Sequence, residues 1–244
     1  VADALARSLI LLKAGSKLAT LDGFVGDYEE WIIGRTGLAR EAVQVVRVSE
    51  GEPLPPLSCA AAVIITGSSA MVTDQAGWMR EGGAWLRDAA VASVPILGIC
   101  FGHQWLAQVL GGEVGYNPNG VDVGTVSIRL TGAAAEDPLL SGLPAAFSAQ
   151  ATHRQSVVTL PPGATLLATS ALEGCQAFRW GERAWGVQFH PEFEAAMMPR
   201  FIEHYRRRLL AEGKSPAALE RGVGPTPEAA LLPGRFARLA GLLA

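Results

Sequence analysis

One stretch constrains the fold of this chain more than any other. An apolar run at 94–99 (VPILGI) passes directly into an amphipathic segment at 102–110 (GHQWLAQVL), with Cys100 at the join and Gly98 and Gly102 on either side of it. A buried strand that turns at once into a helix leaves its corner residue in a strained backbone conformation, with the side chain projecting. Flanking glycines let the neighbouring backbone close around such a turn. A structural cysteine needs no such bracket. The start of a helix also favours a thiolate, and its free N–H groups can receive an oxyanion.

The surrounding pattern sets the architecture. Short apolar runs at 8–13 (SLILLK), 42–48 (AVQVVRV), 60–66 (AAAVIIT) and 94–99 read as strands. Between them, 27–36 and 74–91 read as helices, with Trp31 facing inward in the first and Trp78, Trp85 and Leu86 at helical spacing in the second. This alternation implies a mostly parallel central sheet with helices on both faces, an α/β fold. The second half is richer in strands, at 125–130, 148–151 and 156–160. The runs 176–180 and 184–189 flank Gly181-Glu182 as a hairpin. A helix follows at 195–210, with Met198, Phe201, Ile202, Tyr205 and Leu209 on one face. Beyond Gly213, Ser215-Pro216 and Thr226-Pro227 each read as the N-cap and first residue of a short helix. The expected division is a main domain over 1–213 and a helical tail over 214–244.

A thiol nucleophile needs a base that later protonates a leaving amine. Four histidines are available, His103, His153, His190 and His204. His190 ends an alternating strand and precedes Pro191 and Glu192, so Glu192 is close enough to orient its imidazole. Strand ends of an α/β sheet are where catalytic side chains converge. His204 lies in a basic amphipathic segment and reads as a surface residue. His103 reads as a structural hydrogen-bonding residue one turn into the helix after Cys100. Gly67, Ser68 and Ser69 end the 60–66 strand. If that strand neighbours the one before Cys100, the backbone at Gly67 and the N–H of Phe101 can form an oxyanion hole.

Bulk properties remove several function classes. A net charge of −3 gives no electrostatic footprint for a nucleic acid, and Arg206–Arg207–Arg208 reads as a solvated helix face. No apolar run is long enough to span a membrane. Cys59, Cys100 and Cys175 form neither a disulfide framework nor a zinc pattern, which fits a reduced, cytoplasmic setting. There is no Gly-x-Gly-x-x-Gly fingerprint and no P-loop, so a flavodoxin-like nucleotide-binding module has no positive support. No cofactor is expected.

Three motifs then carry a resemblance. GICFGHQ at 98–104, GVQFHPE at 186–192 and ITGSS at 65–69 resemble the class I, triad-type glutamine amidotransferases, over roughly 8–210. The resemblance implies a flavodoxin-like fold of that family and a glutaminase reaction. In it Cys100 is the nucleophile, His190 the base and Glu192 its orienting partner, with Gly67 and Phe101 as oxyanion donors. It also implies that Gln104 and Ser68 contact the bound glutamine, and that 152–157, including His153, Arg154 and Gln155, meets its α-amino and α-carboxylate groups. Relatives in the GMP-synthetase branch usually carry an aspartate near position 155, where this chain has glutamine. The segments 26–33 and 115–124, the latter read as a loop, resemble the stand-alone, GMP-synthetase-like branch. The implied ligand is glutamine or another small γ-glutamyl compound. The implied alternatives are a γ-glutamyl peptidase and an amidotransferase that a synthetase partner activates.

Overall fold

A computed structural model describes residues 7–243. Strands β1 (Ser8–Leu12), β2 (Val43–Val46), β3 (Ala60–Ile65) and β4 (Ile96–Ile99) alternate with helices α1 (Tyr28–Thr36), α2 (Gly77–Val91) and α3 (Phe101–Val109). Next come β5 (Glu113–Tyr116), β6 (Asp122–Leu130), β7 (Ala146–His153), β8 (Gln155–Thr159), β9 (Ala164–Thr169), β10 (Ala177–Trp180) and β11 (Ala184–Val187). Helices α4 (Met198–Ala211), α5 (Pro216–Arg221), α6 (Pro227–Ala230) and α7 (Leu232–Leu239) complete the chain.

One sheet runs β2-β1-β3-β4-β11-β10-β9-β6-β7, and β5 pairs separately with β8. The α/β expectation holds, with a sheet that is mixed. Pairings from β2 to β11 are parallel, and those from β11 to β7 are antiparallel. The parallel half is covered on both faces, which explains its unbroken apolar runs. Leu9 and Leu11 of β1 pack with Ile32 and Phe236 on one side. Ile10 and Leu12 pack with Leu86 and Trp105 on the other. Successive strand residues point to opposite faces, so each run serves two cores.

Several local expectations need correction. Trp31 is half-buried, its indole donating to the Val25 carbonyl at 2.8 Å, and Ile32 and Ile33 fill the core instead. Asp27 caps α1 in a capping box with Glu30, which sets that helical phase. Helix α2 starts at Gly77 because Val72–Asp74 form a 3-10 turn. Strands β5 and β9 were not expected, and β5 occupies part of the 115–124 segment read as a loop. Three helices follow Gly213 rather than two. Ser215 does cap α5, accepting from Ala218 N–H, whereas the Thr226 side chain makes no cap bond. These helices pack back onto the sheet: Ala229, Leu232 and Phe236 are fully buried, and Phe236 meets Trp185 edge-on with ring centroids 6.3 Å apart.

No helix among the described residues is long and apolar enough to cross a membrane.

Candidate active site

Parallel pairing of β3, β4 and β11 brings three C-terminal strand ends to one edge of the sheet. Gly67 follows β3, Cys100 follows β4, and His190 lies three residues past β11. Cys100 has φ 52° and ψ −101°, a conformation that side chains seldom adopt. Its N–H is tied to the Val187 carbonyl at 2.8 Å, and its carbonyl accepts from Gln104 N–H at 3.1 Å. The glycine bracket is a steric necessity. A Cβ on Gly98 would stand 2.5 Å from the Gly102 carbonyl oxygen, and one on Gly102 would stand 2.6 Å from that of Ile65. Cys100 is buried, with its Sγ 3.8 Å from the Thr152 carbonyl oxygen.

His190 is fixed from several sides. Its N–H donates to the Gln150 carbonyl at 2.8 Å, and its ring stacks on Phe193 with centroids 4.0 Å apart and planes 3° from parallel. Gly67 lies against the imidazole, since a Cβ there would come within 2.8 Å of His190 Cε1. Nδ1 meets Glu192 Oε1 at 2.7 Å, while Nε2 has no hydrogen-bond partner. Burial disfavours the imidazolium, but the charge of Glu192, and after it that of Cys100, outweighs burial and pushes the His190 pKa up to about 10.

Cys100 and His190 line one cleft of about 160 Å³ with Tyr28, Ser68, Thr152 and Tyr205. A smaller lobe of about 30 Å³ extends from it toward Phe101 and Gln104. A larger cavity, about 480 Å³ between α2 and α3, is lined by residues such as Arg80, Arg87 and Trp105, and holds neither Cys100 nor any histidine. Among the described residues, no group of three or more His, Cys, Asp or Glu side chains is arranged to hold a metal ion.

The other expected residues divide. Ser68 and Arg154 line the cleft. Gln104 lines the small lobe, but its amide nitrogen is spent on the Gln155 carbonyl at 2.7 Å and Gln188 Oε1 at 2.9 Å. The Gln155 side chain bridges Val72 N–H and the Thr73 hydroxyl, so it fastens the turn after β3. The His153 imidazole is buried toward Asp122, at 3.5 Å, and Glu173, at 3.8 Å. Burial opposes its protonation, yet the neighbouring Asp122 carboxylate, with Glu173 behind it, raises its pKa.

Two histidine readings change. Neither ring nitrogen of His103 has a hydrogen-bond partner of good geometry; the ring packs on Phe178 at 5.0 Å and against Gly186, where a Cβ would leave no room. Burial pushes its pKa down to about 3 and keeps it neutral. His204 is exposed as expected, but it also lines the cleft beside Tyr205. The helical spacing that placed Tyr205 next to Phe201 was the available signal for this wall. Tyr28 and Phe193, stacked in series with His190, carried no such signal. All three cysteines are free.

A family model described as glutamine amidotransferase class-I matches residues 24–204. The chain belongs to this family. The glutamine amidotransferase fold is equally clear in solved structures. A glutamine amidotransferase from Thermotoga maritima superimposes with a TM-score of 0.74 at 23% identity, covering 96% of this chain and 98% of the other. A glutamine amidotransferase from Methylobacillus flagellatus gives 0.71 at 21%, covering 97% and 94%. Among curated relatives, a subunit of the glutamine-hydrolysing GMP synthase from Ignicoccus hospitalis is 41% identical over 119 residues, 46% of this chain and 61% of that one. Gamma-glutamyl peptidase 3 of Arabidopsis thaliana is 32% identical over 123 residues, 48% of each chain. The matched stretch therefore spans less than two thirds of either relative.

Proposed function

We propose that the chain hydrolyses the side-chain amide of glutamine, or of a related γ-glutamyl compound, through a thioester on Cys100. The observation that carries this reading is the meeting, at one sheet edge, of a cysteine at φ 52° with a histidine whose Nδ1 is held by Glu192 and whose Nε2 is unoccupied.

In this reading the Cys100 sulfur attacks the amide carbon and the new oxyanion is received by the Gly67 and Phe101 N–H groups. Phe101 opens α3, where a backbone N–H has no partner within the helix. His190 gives its Nε2 proton to the nitrogen, the C–N bond breaks, and ammonia or an amine departs. Water then attacks the thioester, His190 takes its proton, the C–S bond breaks, and glutamate leaves. Glu192 holds the tautomer that presents Nε2 to these transfers and supports the charged ring. Ser68 and Arg154 belong to the wall that meets the rest of the substrate.

The named relatives support two variants of this chemistry. Similarity to GMP synthase subunits favours ammonia supply to a synthetase partner. Similarity to gamma-glutamyl peptidases favours direct cleavage of a γ-glutamyl peptide. An assay of the purified chain against glutamine and a panel of γ-glutamyl peptides separates them. Efficient peptide turnover by the chain alone is the peptidase outcome; glutaminase activity that rises when a synthetase is added is the partner outcome. Turnover by a Cys100→Ala variant at the wild-type rate would falsify the thioester mechanism.

A further inference from the structure

The cavity between α2 and α3, about 480 Å³, takes no part in the thioester chemistry. Small-molecule sites run from about 300 to about 1,000 Å³, so its size suits one. Helix α2 supplies one wall through Arg80, Ala84 and Arg87, whose spacing puts them on a single helix face. The floor is apolar, made by Val72 and Met79 together with Trp105 and Val109 of α3. The two helices approach closely at Gly82 and Gly83, where a Cβ would stand 2.7 Å from the Trp105 ring and 3.1 Å from Val109 respectively.

The charge of this cavity is unbalanced. Arg80 and Arg87 stand about 10 Å apart along the helix axis, two turns of α2. Neither enters an ion pair among the described residues. Each guanidinium is fastened by a backbone carbonyl instead: Arg80 Nη1 donates to that of Gln75 at 2.5 Å, and Arg87 Nη2 to that of Val109 at 2.7 Å. Most of their N–H donors stay unused, because a guanidinium carries five. Asp88 also lines the cavity and offsets one of the two charges, so the rim is net positive. A guanidinium fork receives a carboxylate or a phosphate, and its face stacks on rings. A positive rim over an apolar floor therefore matches an anion with a flat apolar body.

The cavity shares a wall with the catalytic cleft. The turn at 71–75 runs between them: Met71 lines both lobes of the cleft, while Val72 and Gln75 line the cavity. The Gln155 side chain ties this turn to β8, accepting from Val72 N–H at 3.1 Å and donating to the Thr73 hydroxyl at 2.7 Å. Gln75 ends the turn at φ 48°, a left-handed conformation that persists only where its surroundings enforce it. Arg80 holds the Gln75 carbonyl, so an anion that draws the guanidinium into the cavity weakens that hold. We infer that the α2–α3 cavity binds a small anion, a carboxylate or phosphate carried on a flat apolar ring, between Arg80 and Arg87, and that its occupancy alters the catalytic cleft through the 71–75 turn. Neither part depends on which amide the protein hydrolyses.

Calorimetric titration with 2-naphthoate, 2-naphthyl phosphate and uncharged 2-naphthamide tests binding. At least one anion should bind about tenfold or more tightly than the amide, the size of one charged hydrogen bond, and the tighter anion identifies the headgroup. Arg80→Gln combined with Arg87→Gln should bring all three within about threefold of one another. Ala84→Phe sets a ring into the cavity from an exposed helix position and should abolish binding with the melting temperature unchanged. Arg154→Gln, in the catalytic cleft, should leave the anion preference as it was. A preference that survives the double arginine substitution overturns the site. So does a preference lost in Arg154→Gln, which puts the anion in the catalytic cleft, or the failure of both anions to bind. Coupling is read from the rate at which iodoacetamide alkylates Cys100, followed by mass spectrometry, and this needs no turnover. A saturating anion should change that rate by about fivefold or more in the wild type and in Arg154→Gln, and leave it unchanged in the double arginine variant. An unchanged wild-type rate overturns the coupling and leaves the site standing. Anion binding with an altered Cys100 rate, in a protein that hydrolyses no amide, sinks the amide-hydrolase reading alone.

Discussion

At Cys100 the backbone and the proposed chemistry make opposite demands. A positive φ at a non-glycine residue costs on the order of 1–3 kcal/mol and persists only where its surroundings enforce it. Cys100→Ala keeps the Cβ and therefore the strain, whereas Cys100→Gly releases it. Both should lose turnover by roughly 10⁴-fold, as expected for removal of a covalent nucleophile. The glycine variant should melt above the alanine variant, by about 1 kcal/mol of stability. Calorimetry of the pair checks this, and an alanine variant that melts higher would show that the turn is unstrained. His190 makes the second prediction at this scale. A pKa raised to about 10 keeps the ring charged through neutral pH. The stability it contributes is complete below the ordinary imidazole value of about 6.5 and fades as pH rises toward that raised value. Glu192→Gln should move the His190 titration, followed by NMR, to lower pH. A wild-type ring titrating near the ordinary value of about 6.5 would contradict the assignment of Glu192 as its charge partner.

Among the elements, glycines decide how closely β4, α3 and the β3 turn approach. Gly98→Ala sets a Cβ against backbone that cannot move aside, so a stability loss of about 1–3 kcal/mol or more is expected, measured by denaturant unfolding. Gly67→Ala meets a different neighbour, the edge of the His190 ring at 2.8 Å. It should cost activity while leaving the fold close to wild type, because an imidazole can tilt where a carbonyl cannot. Equal effects of the two substitutions on stability would show that the His190 ring is not free to yield.

Across the whole molecule, the segment after Gly213 is a covering layer. Helix α7 packs beside α1, and Phe236 closes the core over Trp185. Helix α5 lies against α4 and β6, and the Gly224 carbonyl accepts from Gln150, whose own carbonyl holds His190. Phe236→Ala should therefore cost about 3–5 kcal/mol, comparable to other buried aromatic truncations. A change within about 0.5 kcal/mol, typical of exposed positions, would mean that the layer is dispensable for the core.

The sequence by itself determined the parallel half of the sheet and the place of Cys100. There the signals are local: apolar runs of strand length, a glycine bracket, and a helix that begins without a spacer. It also singled out His190 and Glu192, since a two-residue spacing at a strand end leaves little freedom. Tertiary structure alone decided which long-range partners each polar group found. Gln155 and Gln104 belong to the segments that line the cleft, yet their side chains are spent on Val72 and Gln188, far away along the chain, because a buried donor or acceptor must be paired wherever a partner lies. Arg154 stands outside those pairings for the same reason in reverse: among the described residues, no acid reaches it. Such pairings depend on which strands become neighbours, and neither hydrophobic period nor residue type encodes that within a local window.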